Sequence, residues 1–321
     1  MTMSPAIPKT MRAAVIDKFG GPDVLHVARI PVPEPGGKEI LVHVHAAGVG
    51  SWDPWVREGG MGGTRFPQVL GSDGSGTVVA AGSNVRRFEV GDRIYAYAMD
   101  NPKGGFYAEY AAVPEDSAGF VPAGLSMDEA GGLAACGLTA LAGLDMLEIE
   151  KDAAVLILGA SGGVGHVALQ LVKRRGGRVL AVASGRDGAA LAERLGADLA
   201  MDGKAAGIAK AARAFAPDGF AAALVFANSG RLAGALKLVK KGGTIAYPGG
   251  VEPEPRSSAG VKVRSFNGPS DPESFDRLNG LLDRGPFRVE VSRTYRLDDL
   301  PRAHRDVLKH HLGKLIVKPR A

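Results

Sequence analysis

The chain has 321 residues, of which 45% are hydrophobic and 23% are charged, and its formal net charge at pH 7 is +5. These values are typical of a globular protein with about two domains, and no apolar run approaches the roughly 18 residues that a membrane-spanning helix needs. The basic residues are spread along the chain and residues 1–15 lack the apolar core of a signal peptide, so we expect a cytoplasmic protein that binds neither membranes nor nucleic acids.

The first region, residues 11–121, contains short runs of β-forming residues separated by proline and glycine. MRAAVI, ILVHVHAAGV, GTVVAAG and RIYAYA are such runs. Runs of this kind between turn-forming residues are typical of strands. We therefore predict an irregular β domain and assign residues 1–125 to its first part.

Between residues 126 and 255 the pattern changes to apolar strands that alternate with alanine- and leucine-rich helices. The strands are VLILGA, RVLAVA, ALVFAN and GGTIAYPGG. Strands that alternate with helices form parallel sheets, because each helix carries the chain back to the start of the next strand. The sequence thus predicts an α/β domain with a doubly wound parallel sheet over residues 126–255.

A glycine-rich turn follows the first of these strands. Residues 153–165 read AAVLILGASGGVG and precede a helical pattern. Glycine lets the backbone turn sharply and lets a pyrophosphate approach the main-chain amides at the start of a helix. The turn therefore predicts a dinucleotide site. Its candidate ligands are Gly159, Ala160, Ser161, Gly162, Gly163, Val164 and Gly165.

The end of the second strand indicates which dinucleotide binds. An acidic residue at this place hydrogen-bonds the ribose 2′-hydroxyl and repels a 2′-phosphate, but this chain has Ser184, Gly185 and Arg186 there. A hydroxyl and a guanidinium suit a phosphate, so we predict NADPH rather than NADH. Asp187 leaves an alternative open, because it could pair with Arg186 or bind the ribose itself.

The last region, residues 256–321, follows a proline-rich break. It contains further strand and helix patterns but no second phosphate-binding turn. We expect this region to return to the first domain. The parallel-sheet domain would then be an insertion, with the site in the crevice between the two domains.

The order of these parts and several motifs resemble the medium-chain dehydrogenase/reductase superfamily, in its zinc-free, zeta-crystallin-like quinone oxidoreductase branch. The motifs cover almost the whole chain: MRAAVIDKFGGPDVL, HAAGVGSWDPWVREG, FPQVLGSDGSGTVVAAGSNVRRFEVGDRIYA, CGLTALAGL, ILGASGGVGHVALQL and HLGKLIVKP. The resemblance implies a Rossmann domain inserted into a GroES-like irregular β-barrel domain, and a homodimer.

The resemblance also implies a departure from zinc-dependent alcohol dehydrogenases. Those enzymes carry a cysteine in the segment that matches residues 48–53, and a His-Glu pair where this chain has Ser72 and Asp73. The single cysteine, Cys136, rules out a site built from several thiolates. His43 and His45 point to one face of a predicted strand, but they lack a third ligand, so we expect no metal.

The expected catalytic positions match the family only in part. Quinone oxidoreductases of this branch carry an asparagine, an aspartate and a tyrosine where this chain has Gly50, Asp53 and Trp55. Asp53 is expected either to bind the cofactor or to cap the following helical turn, and Trp55 to wall an aromatic substrate. The candidate catalytic residues are Asp53, Trp55 and Tyr95, with Tyr97 and Tyr107 as alternative proton donors.

The resemblance implies further cofactor ligands. They match the nicotinamide end of the site, the ends of later strands and a terminal Gly-Lys pair: Thr139, Ala227, Asn228, Pro248, Gly249, Gly250, Phe266, Asn267, Gly268 and Lys314. For Thr139 and Lys314 the alternative is a structural role in a helix start or a strand.

A site without a Lewis acid is poorly suited to polarise a simple ketone. Quinones and α,β-unsaturated carbonyls accept hydride with the negative charge delocalised to oxygen, so positioning and a few hydrogen-bond donors suffice. We therefore predict an NADPH-dependent reductase of quinones or enones. The alternatives are an enoyl-thioester reductase of the same fold and a non-catalytic NADPH-binding protein.

Overall fold

The computed structural model describes residues 7–62 and 65–320, and their internal contacts divide the chain into two compact units. The first unit holds the described residues up to Ala135, Ser270–Asn279 and the chain from Val291 onward. The second unit holds Cys136–Pro269 and Gly280–Glu290. The second unit is thus inserted into the first.

The strands and helices follow one another in chain order. The strands are β1 Thr10–Ile16, β2 His26–Pro31, β3 Glu39–Val49, β4 Gln68–Val69, β5 Asp73–Ala81, β6 Arg93–Tyr97, β7 Tyr110–Pro114, β8 Ala118–Phe120, β9 Ala154–Leu158, β10 Arg178–Ala183, β11 Leu199–Asp202, β12 Phe220–Val225, β13 Val239–Pro248, β14 Lys262–Phe266, β15 Val291–Arg296 and β16 Lys314–Lys318. The helices are α1 Asp53–Arg57, α2 Met127–Gly131, α3 Ala134–Asp145, α4 Gly165–Arg174, α5 Gly185–Arg194, α6 Ile208–Phe215, α7 Ala233–Leu236, α8 Pro272–Leu282 and α9 Leu300–Asp306. Within the described residues, every helix is too short or too polar to cross a bilayer.

The first unit is built around the long strand β3. It pairs antiparallel with β5, β7 and β16 in a mostly antiparallel sheet, while β1, β2 and β4 form a smaller one. Their apolar side chains pack into one core, and removal of this surface from water is the main source of stability. Because β16 comes from the end of the chain, the unit joins segments that are far apart in sequence.

The second unit contains a six-stranded parallel sheet in the order β11-β10-β9-β12-β13-β14. Apart from its first residue β9 is fully buried, as expected for a central strand whose two faces are covered by helices. The strand order reverses between β9 and β12, which is where ligands bind in open α/β sheets. The predicted fold class, a doubly wound parallel sheet inserted into an irregular β domain, is confirmed.

The bounds of the second unit lie later than those we assigned from the sequence. β14 pairs with β13 from Lys262 to Phe266, so the chain leaves the parallel sheet after residue 255. The reason is that β14 is an edge strand with exposed residues, which lacks the apolar run of a central strand. At the other end, α2 packs against β3 and β5, so residues just after 126 belong to the first unit.

Candidate active site

Glycines at the end of β9 shape the turn that leads into α4. Gly159 has a φ of +80°, a conformation that glycine adopts without strain. A Cβ on Gly165 would lie only 2.1 Å from the carbonyl oxygen of Gly159, so α4 can start this close to β9 only with glycine. A Cβ on Gly162 would meet a single neighbouring atom, at 3.5 Å. The main chain at Gly162 therefore borders open space.

The amides of this turn fall into two groups. Those of Gly159 and Ala160 donate to the carbonyl of Val182, at 2.9 and 3.0 Å, and that of Gly162 donates to Gly159 at 3.1 Å. The amides of residues 163–165 lie at the start of α4, where no earlier helical carbonyl can accept them. These amides are the positive end of the helix dipole and suit an anion.

Ser161 connects this turn to the loop after β10. Its side chain is buried, and its hydroxyl oxygen accepts a hydrogen bond from the Ser184 amide at 3.2 Å. A Cβ on Gly188 would lie 2.8 Å from the same oxygen. The Ser161 hydroxyl thus holds the two loops together.

The loop after β10 exposes the residues predicted to bind a 2′-phosphate. Ser184 and Arg186 are exposed, and Gly185, with a φ of +77°, begins α5. The carboxylate of Asp187 accepts a hydrogen bond from the Gly188 amide at 2.9 Å. Asp187 therefore binds the first turn of its own helix.

The loop after β12 lies beside the glycine turn. A Cβ on Gly159 would be 3.0 Å from the Cβ of Ala227. The side-chain amide of Asn228 donates to the carbonyl of Pro253 at 2.7 Å, and its oxygen accepts from the Ser229 amide at 2.9 Å. Ala227 thus borders the predicted ligand site, whereas the Asn228 side chain secures its own loop.

The ends of β13 and β14 meet α3 at the same edge of the sheet. The Gly249 amide donates to the carbonyl of Phe266 at 3.1 Å, and a Cβ on Gly268 would lie 2.5 Å from the amide nitrogen of Thr139. The structure thus brings Thr139, Gly249 and Gly268 together within the second unit. The remaining predicted ligands Pro248, Gly250 and Asn267 belong to the same two strand ends.

In the first unit, Asp53 begins α1 and is 2% exposed. Its Oδ2 accepts hydrogen bonds from the Gly50 amide at 2.8 Å and from the Tyr107 hydroxyl at 2.5 Å. Burial raises the pKa of Asp53 to about 6 against the effect of these two bonds. The carboxylate binds the amide of Gly50, three residues before α1 begins, and not an amide of the first helical turn. Asp53 is instead a group that changes protonation near neutral pH.

Asp53 lines a cavity of about 130 Å³ within the first unit, here named the Asp53 pocket. Its walls combine apolar and polar side chains, among them Val56, Gln68, Leu70, Ser72 and Asn101. A carboxyl with a pKa near 6 in the wall of a pocket can exchange a proton with a bound molecule.

The indole of Trp52 fills the space that a side chain at position 50 would need. A Cβ on Gly50 would lie 2.3 Å from Trp52 Cε2. The indole N–H donates to the Ser72 hydroxyl at 2.9 Å. The Trp52 ring therefore fills the space beside Gly50 that a side chain at this position would need. Our sequence analysis missed Trp52, although a tryptophan two residues after an unusual glycine was a signal for this packing.

Lys314 lies deep in the first unit. It is 3% exposed, with Nζ 3.9 Å from Asp73 Oδ2 and 5.4 Å from the centre of the Trp52 ring. Burial raises the pKa of Asp73, whereas the Lys314 ammonium lowers it. Lys314 was predicted as a cofactor ligand, and within this unit its ammonium lies near a carboxylate and an aromatic ring.

The aromatic candidates occupy different surroundings. The hydroxyl of Tyr95 is directed at Asn279, to which it donates at 2.8 Å, and its ring packs edge-on against Phe275. Tyr95 is fully buried, and Tyr107 is the tyrosine that reaches Asp53. Trp55 is 53% exposed, and a Cβ on Gly60 would lie 2.0 Å from its ring. Trp55 therefore covers Gly60 at the surface of the first unit.

The two histidines of β3 have separate partners. His45 Nε2 lies 2.9 Å from Asp128 Oδ1, and His43 is half-buried beside the ring of Tyr110, where its partial burial lowers its pKa. Over residues 7–62 and 65–320, no three histidine, cysteine, aspartate or glutamate side chains group as metal ligands. The segments that match the zinc ligands offer carboxylates and hydroxyls without thiolate or imidazole, a donor set that does not fit zinc in these enzymes.

Comparison with known proteins gives matches for both units. Residues 36–123 match the family described as alcohol dehydrogenase GroES-like domain, and residues 163–268 match the family described as zinc-binding dehydrogenase. The chain is 30% identical to a quinone oxidoreductase of Pseudomonas aeruginosa over 321 residues, which cover 94% of this chain and 97% of that protein.

Two further matches agree with this one. The chain is 35% identical to a chloroplastic NADPH-dependent alkenal/one oxidoreductase of Arabidopsis thaliana over 263 residues, which cover 79% of this chain and 66% of that protein. The solved structure of a quinone oxidoreductase from Coxiella burnetii superposes with a TM-score of 0.82 at 28% identity, covering 97% of this chain and 99% of that chain.

Proposed function

The chain belongs to the quinone oxidoreductase branch of the medium-chain dehydrogenase/reductase superfamily, and from this premise we propose that it reduces a quinone or an α,β-unsaturated carbonyl with NADPH. Its relatives are oxidoreductases, so the chain is an enzyme of this class. The observation that carries the choice of reaction is Asp53, a buried carboxyl with a pKa of about 6 in the wall of a pocket.

The carboxyl edge of the parallel sheet fits a dinucleotide. The open space beside Gly162 and the amides of residues 163–165 suit the pyrophosphate. The exposed hydroxyl and guanidinium of Ser184 and Arg186 suit the 2′-phosphate, and Thr139 with the adjacent Gly268 supports the nicotinamide end. When bound, the cofactor supplies the hydride.

Asp53 supplies the proton that the reduced substrate needs. Its Oδ2 already accepts two hydrogen bonds, from the Gly50 amide and the Tyr107 hydroxyl, so the proton resides on Oδ1. After transfer, the carboxylate that remains is stabilised by those two donors and by the positive charge of Lys314. Asp53 therefore acts as the general acid, and Tyr107 holds it in place.

Activated acceptors fit this site better than simple ketones. A ketone requires strong polarisation of its carbonyl, which a zinc ion supplies in related enzymes. The residues of this chain at the corresponding positions do not fit zinc, and the Asp53 pocket offers a proton donor instead. A quinone or enone requires only hydride and this proton.

The test is the consumption of NADPH and of NADH with a benzoquinone, an alkenal, an enoyl thioester and a simple ketone. We expect turnover with the quinone or the alkenal, faster with NADPH. Turnover of the thioester alone would favour an enoyl-thioester reductase. Tight binding of NADPH without any turnover would favour a non-catalytic protein. Turnover of the ketone that is lost on chelation would contradict the proposed mechanism.

We also propose that the protein is a cytoplasmic homodimer without membrane or nucleic-acid partners. The support is the family resemblance and the scattered positive charge. Light scattering should then give a mass of twice 33.2 kDa, and a mass of one chain would contradict the dimer.

A further inference from the structure

The loop after β11 brings an acidic side chain to the start of α5. Asp202 ends β11, and its Oδ1 accepts hydrogen bonds from the amides of Gly185, at 3.1 Å, and Lys204, at 2.9 Å. Ala183 and Asp202 are partners in the parallel pair of β10 and β11, and the Gly203 amide donates to the Ala183 carbonyl at 2.7 Å. The carboxylate is therefore held by hydrogen bonds from two neighbouring loops at one edge of the sheet.

This carboxylate occupies a place that an anionic ligand would use. Gly185 is the first residue of α5, and Ser184 makes no side-chain hydrogen bond that caps this helix. The amides at a helix start attract negative charge. Because Asp202 already accepts the Gly185 amide, that amide is not available to a phosphate, and the carboxylate repels one.

Positive side chains near the same loop would attract a phosphate. Arg186 follows Gly185 directly and is exposed, as is Lys204. The guanidinium of Arg231 donates to the Lys204 carbonyl at 3.2 Å, which keeps this third cation close to the loop after β11. The end of β10 thus combines exposed cations with two carboxylates, the fixed one of Asp202 and the exposed one of Asp187.

We infer that Asp202 is a specificity-determining residue that weakens the binding of a 2′-phosphate and so limits the preference for NADPH over NADH. The inference rests on the proposed function, since it assumes that the adenine ribose binds at the end of β10. In many dinucleotide sites the acidic residue comes from the end of the second strand. Here it reaches the same place from the end of the third, a position that the sequence of β10 does not reveal.

The test is the Asp202→Asn variant, which keeps an oxygen to accept both amides but removes the charge. Calorimetry measures the dissociation constants of adenosine 2′,5′-bisphosphate and adenosine 5′-monophosphate for the wild-type protein and the variant. We expect the bisphosphate to bind about tenfold more tightly to the variant, as for the loss of one repulsive charge near the ligand. The monophosphate should bind with unchanged affinity.

Asp198→Asn is the matched control, because it removes the same charge at the opposite end of β11. The Asp198 carboxylate accepts from the Val179 amide and the Lys173 ammonium. It lies four residues from Asp202, roughly 13 Å along a strand, which exceeds the Debye length of about 8 Å at physiological ionic strength. We expect both nucleotides to bind this control as they bind the wild type, and thermal melting checks that both variants are folded.

The outcomes separate this inference from the proposed function. If the variant binds both nucleotides as the wild type does, the inference is overturned and the dinucleotide site stands. Equal tightening of both nucleotides overturns it as well, because the effect then lies in the loop and not at the 2′-phosphate. If the wild-type protein binds neither nucleotide, the proposed function fails and this inference fails with it.

Discussion

The two candidate functional regions of this protein are built from different parts of the chain. At the carboxyl edge of the parallel sheet the groups that face the proposed ligand are mostly main-chain amides and small residues. In the first unit the ionisable groups are buried side chains: Asp53, which lines the Asp53 pocket, and Tyr107, Asp73 and Lys314, which act on its carboxyl group. The first region therefore depends on where a Cβ is absent, whereas the second depends on which charges are buried together.

The two regions also differ in the free-energy cost of holding their functional groups in the folded protein. Main-chain amides at a helix start carry no net charge, so holding them in place costs less free energy than burying an ion. Buried carboxylates and ammonium groups lose their hydration, and this loss is offset only by partners within the protein. The 3.9 Å pair of Lys314 and Asp73 and the hydrogen bonds to Asp53 serve this purpose.

The largest effect is expected from a substitution in the Asp53 pocket. Asp53→Asn removes the proposed proton donor, and loss of a general acid lowers rates by about 10²–10⁴-fold. We expect kcat for quinone or alkenal reduction to fall by roughly a hundredfold or more, with NADPH affinity unchanged. Steady-state kinetics and cofactor titration measure both. Asp298→Asn, which removes an exposed carboxylate paired with Arg12, is the control and should behave as the wild type. A full rate in Asp53→Asn would remove Asp53 from the mechanism.

The next largest effect is expected from a substitution in the glycine turn after β9. In Gly165→Ala the new methyl group would lie 2.1 Å from the Gly159 carbonyl oxygen, so α4 must move. We expect a loss of stability of roughly 1–3 kcal/mol and a large loss of NADPH affinity, measured by denaturant unfolding and titration.

Gly162→Ala is the matched comparison for this glycine. Its methyl group meets only one atom at 3.5 Å, so we expect normal stability but weaker cofactor binding, because the methyl group fills the space beside the main chain. If both variants bound NADPH normally, the glycine turn would not be the pyrophosphate site.

A smaller effect is expected in the second unit, where the Arg186 side chain should add specificity to a site built mainly from main-chain amides. Arg186→Ala should weaken NADPH binding by about tenfold, as for the loss of one charge-assisted contact, and leave NADH binding unchanged. Arg194→Ala removes a cation from the last turn of the same helix and should change neither affinity. Equal affinities of Arg186→Ala and the wild type for NADPH would assign the 2′-phosphate to other residues.

The smallest effect is a shift in pH dependence. Asp53 donates a proton only in its protonated form, so the rate should be highest below its pKa of about 6 and fall as pH rises through that value. The Tyr107 hydroxyl favours the carboxylate and lowers the pKa of Asp53, so Tyr107→Phe should move this fall to higher pH. The pH profile of kcat measures the shift, and Asp53→Asn should lack the transition near pH 6. A transition that stays in place in Tyr107→Phe would argue that the bond to Tyr107 does not control the acid.

Much of the fold could be predicted because it depends on local patterns. The alternation of apolar strands and helices and the glycine turn after β9 each follow from neighbouring residues. The parallel sheet extends past the predicted boundary at residue 255 because β14 is a polar edge strand, and its membership of the sheet depends on pairing with β13.

The contacts of the candidate site residues were harder to predict from the sequence than the fold. Tyr95 and Tyr107 look equivalent in sequence, yet only Tyr107 reaches Asp53, across 54 positions. The filling of the space beside Gly50 by the Trp52 ring is likewise a matter of packing. The predicted cofactor ligands stay predictions, with Thr139, Gly249 and Gly268 now known to lie together.

Local sequence is enough to predict where the chain needs glycine and where strands alternate with helices, since backbone conformation and periodicity are set within a few residues. Only the tertiary structure decided the pKa of Asp53 and the position of the Asp202 carboxylate. Both depend on burial and on partners from distant segments: Tyr107 and Lys314 for Asp53, and Gly185 for Asp202. Electrostatic energies follow distance in space and local polarity, which order along the chain does not specify.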